Sequence, residues 1–539
     1  MREVALTYSR RMDPETEILE EIAESTPDGA DQRTIVGQTG QNVLGLAIGA
    51  IATFAAQVIM SNRLGEEAFG VVTVVTQFAF IAAAFTRFGM DVANVRLVAI
   101  LIGRKTAARA RGLVRRSVGI AVAVSVPFAV VVFLLAPWLS DTLSALPDVA
   151  EPAFRWAAVT IPLAALAFTY MGATRGLKIM LYTLFAQWMA QPIGWIVLTL
   201  GLWAIASATA GWASAGFAAS WAVALAIAAG GWLREERKLP GELTGEAIAE
   251  ERTGALWRFG ALRAPGTLFA QLIFWTDLFV LSYLWSGLGD AGAAEVGVYS
   301  AVLRAGQSLF LFLSSVSLTF SPFVADLHHR GETPRLDALY KRVTRWAFAA
   351  TVPVLLVLAI LPQQVLRIFG AEFITGASAL RILIVGMIVP VMVGTVGFIL
   401  IMAGRTGWDL LVYMGGFAID LALAFALARP EAMGIRGAAI AQAATLTFSA
   451  VARLLLVHRF LRIWPFDRAW LRLAVPATVC AAVIWVVHVV LPDERWLVNL
   501  LASAAVGALA YLVTTLAVGL PADERASAVR ILRRAIGRS

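Results

Sequence analysis

The 539-residue chain is 59% hydrophobic and only 15% charged, with a mean hydropathy of +0.76, whereas soluble domains carry about 25% charged residues; this composition excludes a water-soluble domain and requires a polytopic membrane protein. The net charge of +8, from 44 basic and 36 acidic residues, is what inner loops facing anionic lipid produce, and nucleic acid is not expected as a partner. One cysteine, Cys480, excludes an internal disulfide, and the four histidines (His328, His329, His458 and His488) lack metal-ligand spacing, so neither a metal nor a cofactor is expected.

Residues 1–38 form a polar cytoplasmic segment in which Asp13-Pro14-Glu15 marks the start of a short surface helix. No signal peptide is expected, and the first apolar run acts as the inserting signal. About fourteen apolar segments follow, each near the roughly 20 residues that cross a bilayer. They lie near 39–61, 70–90, 117–137, 153–174, 180–203, 211–233, 264–286, 296–320, 346–365, 377–403, 409–428, 436–457, 473–491 and 497–520. With the amino terminus inside, the inner connections hold about 34 Lys and Arg, among them Arg104, Lys105, Arg115, Arg234, Lys238 and Arg342. The outer connections hold about four: Arg63, Arg367, Arg429 and Arg495. Both termini are then cytoplasmic, and Arg530, Arg533, Arg534 and Arg538 make the end a basic surface helix.

The fold class is therefore all-α, with two six-helix lobes at 39–233 and 264–457. A charged cytoplasmic linker at 234–263 joins them, and a final helix pair (473–520) and a basic tail (521–539) follow. The lobes read as a repeat. The first hairpin turns through Arg63-Leu64-Gly65 with Glu66 and Phe69-Gly70, the seventh and eighth segments through Leu288-Gly289 with Glu295 and Gly297-Val298-Tyr299. Six is even, so both copies start inside and are related by a pseudo-twofold axis along the membrane normal.

Full charges interrupt the apolar runs at Asp277 in the seventh segment and Arg304 in the eighth. A charge at membrane depth costs about 2.5–3.5 kcal/mol, so such residues face a partner or a hydrated cavity. At about 1.5 Å per residue the two sit about 14 Å and about 12 Å below the same surface. They can therefore form an ion pair that locks the hairpin, or line a substrate cavity. Asp420 in the eleventh segment is a further buried acid with no obvious neighbour, read either as a hydrogen-bonded structural group or as a site for proton or sodium coupling.

The order of these features resembles the multidrug/oligosaccharidyl-lipid/polysaccharide (MOP) exporter superfamily and, within it, the Wzx-type polysaccharide flippases. The likeness is carried by Arg63-Leu64-Gly65, Phe88-Gly89-Met90 with Arg96, Asp277, Gly297-Val298-Tyr299 with Arg304, Ile368-Phe369-Gly370, Met402-Ala403-Gly404-Arg405 and Gly434-Ile435-Arg436-Gly437. It covers about residues 39–460. The family pattern often has Asn where this chain has Asp420. The resemblance implies a two-lobed transporter, not an enzyme, that carries an undecaprenyl-diphosphate-linked oligosaccharide across the cytoplasmic membrane by alternating access; an ion gradient or the membrane potential would drive it, and Asp420 makes proton or sodium the candidate coupling ion.

Such cargo needs a hydrated cationic cavity, and arginine suits a diphosphate because its fork stays charged and binds oxygens in pairs. Arg304 and Gln307 share a helical face with Ser300 and Ser308; Gln57 lies on the first segment and Gln77 on the second. Bulky polar groups pack poorly against lipid, so these are cavity candidates, with helix packing as the plain alternative. Arg87 and Arg381, near helix ends, either contact substrate or reach the headgroups. Within the same superfamily the alternatives are a lipid II flippase and a cation-coupled multidrug exporter. From another class, a membrane-embedded polysaccharide polymerase or ligase would need an outer catalytic loop, and every expected outer connection is short.

Overall fold

The computed structural model describes residues 29–103, 107–239, 253–329, 331–394 and 396–519. The expected surface helix near Asp13, most of the inter-lobe linker and the basic tail lie outside the described residues. Within them the regular structure is entirely helical.

The first helix, α1 (Gly29–Thr86), has 58 residues. Straight, it would be about 87 Å long, against a hydrocarbon core of about 30 Å. It turns at Gly65, whose φ of 74° and ψ of 175° suit a residue without a side chain. One continuous run of helix thus contains the first two segments. There follow α2 (Met90–Gly103), α3 (Ala107–Leu134), α4 (Ala136–Leu143), α5 (Pro147–Gly176), α6 (Leu181–Ile205) and α7 (Ala210–Glu236). Together α1, α3, α5, α6 and α7 pack as one group, with α5 against most of the others.

The seventh segment is not one straight rod. It begins earlier than expected, as α8 (Thr253–Leu272), breaks at residues 273–275, and resumes as α9 (Thr276–Trp285) at a bend of 65°. No proline or glycine occupies the break. Instead the buried carboxyl of Asp277 sits in the first turn of α9, where free backbone N–H groups and the helix dipole favour negative charge. After a left-handed Gly289 (φ 57°) come α10 (Gly289–His329), α11 (Thr333–Ile360) and the short α12 (Pro362–Leu366). The tenth segment also breaks, into α13 (Ala377–Val393) and α14 (Val396–Met402). Gly394 there has a φ of 67°, and the Tyr340 hydroxyl donates to the freed Val393 carbonyl at 3.0 Å. Next are α15 (Thr406–Leu427), α16 (Ile435–Leu461), α17 (Ala474–Val490) and α18 (Trp496–Thr514).

Eleven described helices are long and apolar enough to cross a membrane, twelve when the bent run from α8 onward counts as one. That run and α1 each count once although each contains two segments, so every one of the fourteen expected segments has a helix.

Two ends of the bundle can be told apart by contact. At the far face, opposite the side from which α1 starts, the halves are shut against each other. Asn62 Nδ2 donates to the Ile368 carbonyl at 2.8 Å, and Phe69 packs on Phe369 and Phe373 with ring centroids 6.3 and 5.7 Å away. Ser282 Oγ donates to the Leu143 carbonyl at 2.5 Å. The chains come closest at Gly297, where a methyl group would stand 1.8 Å from the Glu66 carbonyl oxygen. At the near face, α8 leans across onto the end of α1, with Phe88 edge-on to Trp257 at 5.2 Å.

Candidate functional site

Arg304 does not pair with Asp277. Its guanidinium lies over the Trp275 ring, 4.8 Å from the centroid, beside the α8–α9 break. Its Nε and Nη2 are buried without a hydrogen-bond partner, although the residue as a whole keeps some accessible surface. Cation–π contact offsets part of the cost of burying charge, about 2 kcal/mol when desolvated, but leaves the donors unspent. The partner of Asp277 is Tyr299, whose hydroxyl donates to its Oδ2. The ion-pair alternative for the hairpin therefore falls, because a phenol one turn and a half before Arg304 already occupies the carboxylate.

Asp277 Oδ1 has no partner, nor has either oxygen of Asp420. The two acids, far apart in sequence, are close enough to interact electrostatically, and Thr445 lies beside Asp420 without completing an ordinary hydrogen bond. Both acids are fully buried. Two buried carboxyl groups thus stand close together at membrane depth, where a charge is costly.

The remaining candidates separate. Gln307 follows Arg304 on α10 and is half-buried. Ser300 and Ser308 spend their hydroxyl hydrogens on carbonyls of their own helix, Val296 at 2.8 Å and Ala305 at 2.7 Å. Gln57 is buried with Oε1 unpartnered, and Gln77 is buried as well. Arg87 is held at the end of α1 by Asp91, 3.5 Å away, and by the Phe168 ring at 4.6 Å, which accounts for its charge locally. Arg381 is exposed on α13. Arg304, Asp277 and Asp420 thus gather around α9, Gln57 and Gln77 lie in the first group of helices, and Arg381 stands apart.

Trp275, Tyr299 and Thr445 were not singled out from the sequence as site residues. Tyr299 was visible only as part of a turn pattern, and Thr445 sits in an Ala-rich helix where a hydroxyl reads as packing. Between α1, α3 and α8–α9 the structure also has an apolar cavity of about 390 Å³, lined by Phe78, Phe85, Phe128, Leu268, Leu272 and Phe279.

A family model described as "Polysaccharide biosynthesis protein" matches residues 38–328. No curated protein sequence matches the chain. Among solved structures it is similar to lipid II flippase MurJ in an inward closed conformation, at 13% identity and TM-score 0.65 over 87% of this chain and 97% of that one. An inward-facing multidrug resistance MATE family transporter of the MOP superfamily is similar at 16% identity and TM-score 0.63, over 78% of this chain and 98% of that one. A MOP superfamily transporter from Pyrococcus furiosus gives 17% identity and TM-score 0.59, over 81% and 99%. These likenesses concern the fold. The family match spans more than half of the chain and makes it a member of the polysaccharide biosynthesis protein family, with a fold similar to that of MOP superfamily transporters.

Proposed function

We propose that the protein flips an undecaprenyl-diphosphate-linked oligosaccharide from the inner to the outer leaflet of the cytoplasmic membrane. It works by alternating access, with the near face and both termini in the cytoplasm and proton or sodium as coupling ion. The single observation that carries the reading is Arg304: a guanidinium at membrane depth, stacked on Trp275, with two buried donors unsatisfied. A diphosphate would complete those donors in pairs, and one that leaves again is suited to transport rather than storage. The family match to polysaccharide biosynthesis supports a glycan as cargo.

Mechanistically, the far-face closure keeps the outer leaflet shut while the headgroup reaches Arg304 from the near side. Gln307, one turn further along α10, is in position to hydrogen-bond sugar hydroxyls, and the apolar cavity beside α8 can take hydrocarbon that polar surfaces would reject. Asp277 and Asp420 bind the coupling cation next to the α8–α9 break, so that loading them changes the charge at the bend. Release follows when the far-face seam opens.

The test is transbilayer movement of a lipid-linked sugar in reconstituted vesicles. Hydrogen bonds to a charged group contribute about 1.5–3 kcal/mol, so Arg304→Ala slows flipping about ten- to a hundredfold while Arg304→Lys retains part of it. Wild-type flipping by Arg304→Ala protein would remove the substrate-site assignment. MurJ-like lipid II flipping is the second reading, favoured by the extent of that structural match; it is separated by offering both lipids in the same assay.

A further inference from the structure

The apolar cavity of about 390 Å³ lies between the two halves of the bundle. Its walls come from Phe78, Ala82 and Phe85 on α1, Phe128 on α3, Leu268 and Leu272 on α8 and Phe279 on α9, and every residue that lines it is apolar. Leu268 and Leu272 precede the break at residues 273–275 and Phe279 follows it, so the cavity lies against both arms of the 65° bend. The rings are held in place: Phe85 meets Phe128 edge-on at 6.4 Å, and Phe78 meets Phe154 at 5.7 Å. Helices α3 and α8 scarcely touch. Val131, beside Phe128 on α3, and Pro265, beside Leu268 on α8, are both exposed. The cavity is therefore open sideways, between α3 and α8, to the hydrocarbon of the bilayer.

An apolar cavity of about 150 Å³ stays dry and takes one benzene. One of about 390 Å³ has room for two to three times as many carbons, about fifteen, which is three isoprene units. Apolar contact alone does not choose the occupant, because every lipid chain is as apolar as these walls. Depth chooses it. A membrane phospholipid keeps its headgroup at the surface, whereas a diphosphate on Arg304 lies within the membrane, and its tail must leave the protein sideways at that level. Trp275, whose ring carries the Arg304 guanidinium, is three residues beyond Leu272 and four before Phe279. Three residues span at most about 10 Å, so the cavity wall begins where the headgroup site ends.

We propose that this cavity is the side port of the cargo site, holding the first two or three isoprene units of a polyisoprenoid tail while the diphosphate is on Arg304. The remainder of the tail stays in the bilayer. Leu143 bounds the port, and its carbonyl accepts from Ser282, one turn past Phe279. That contact belongs to the far-face closure. When it parts, the port lengthens toward the outer leaflet, and the tail follows its headgroup without leaving hydrocarbon. The assignment rests on the flippase reading given above.

The test uses the full chain in vesicles and three photoactivatable lipids at equal mole fraction. Two are sugar-bearing polyisoprenyl diphosphates with a diazirine either within the first three isoprene units or at the far tip of the tail; the third is a phospholipid with a diazirine in its acyl chain. The proximal probe is expected to label Leu272, Phe279 and Phe128 about tenfold more than either of the others, and Arg304→Ala to abolish that excess. Equal labelling of these residues by all three probes overturns the port and makes the cavity a place for bulk lipid. Ala82→Phe puts a ring into the cavity and is expected to remove the proximal labelling in protein whose melting temperature shows it folded; labelling that persists there also overturns the port, and the unsubstituted protein carries the test by itself if the variant does not fold. Proximal labelling that needs Arg304, in a protein that flips no lipid-linked sugar, supports the port and refutes transport. Flipping that needs Arg304 without a proximal excess refutes the port and leaves the flippase reading standing.

Discussion

At the scale of single residues, the chemistry rests on groups that sit in lipid-depth surroundings with their bonding incomplete. Tyr299 is the exception, because it spends its hydroxyl on Asp277. Replacing it with phenylalanine leaves a buried carboxylate with no side-chain donor. Such a loss costs about 1–3 kcal/mol, and Tyr299→Phe is expected to lower the melting temperature of the detergent-solubilised protein and to change how that temperature responds to sodium or to pH. An unchanged response to both would remove Tyr299 from the proposed coupling site. The two acids were legible in the sequence because each interrupts an apolar run. What joins them was not, since Asp277 and Asp420 lie on helices separated by several hairpins and only packing brings them together. Arg304 was equally visible, but its ring partner was not: Trp275 looks like any aromatic in an apolar stretch until the helix breaks beside it.

Among the elements, the spans were readable from apolar length and loop charge, whereas the interruptions inside them were not. Pro127, Pro162 and Pro353 lie within helices that run on past them. The breaks occur instead beside Asp277, where a buried acid uses a helix start, and at Gly394, four residues after Pro390. A left-handed conformation costs a side-chain-bearing residue about 1–2 kcal/mol, and a Cβ at Gly394 would also meet Thr344 at 2.9 Å. Gly394→Leu should therefore lower the melting temperature by several degrees, and Gly394→Asn by less; equal stability of the two would show that the bend does not depend on glycine. The repeat read from Leu64-Gly65 and Leu288-Gly289 gains support, because both glycines are left-handed at the apex of their hairpins.

For the whole molecule, the seam at the far face is where the two halves close on each other, and the proposed alternating access requires it to part. It includes the Asn62 amide and Ser282 hydroxyl hydrogen bonds, edge-to-face phenyl rings and two backbones that approach as closely as glycine permits. Gly297→Leu puts carbon into the space of the Glu66 carbonyl, so the far face is expected to stay open and flipping to stop. An impermeant maleimide added from the far side should then label Phe373→Cys, which the closed parent protects; protection in both would rule out this closure as the gate. The last two helices have a different relation to that motion. Asp467, just ahead of α17, is gripped through both oxygens by Arg345 Nη1 at 3.0 and 2.8 Å, and Arg367 caps Trp496 at the start of α18. Both anchors belong to α11 and the turn after α12, so α17 and α18 ride as passengers on one half of the bundle. A dye on that pair, matched with one near Ala145, would read the rocking of one half against the other as energy transfer, without touching a residue that cargo or ion must pass.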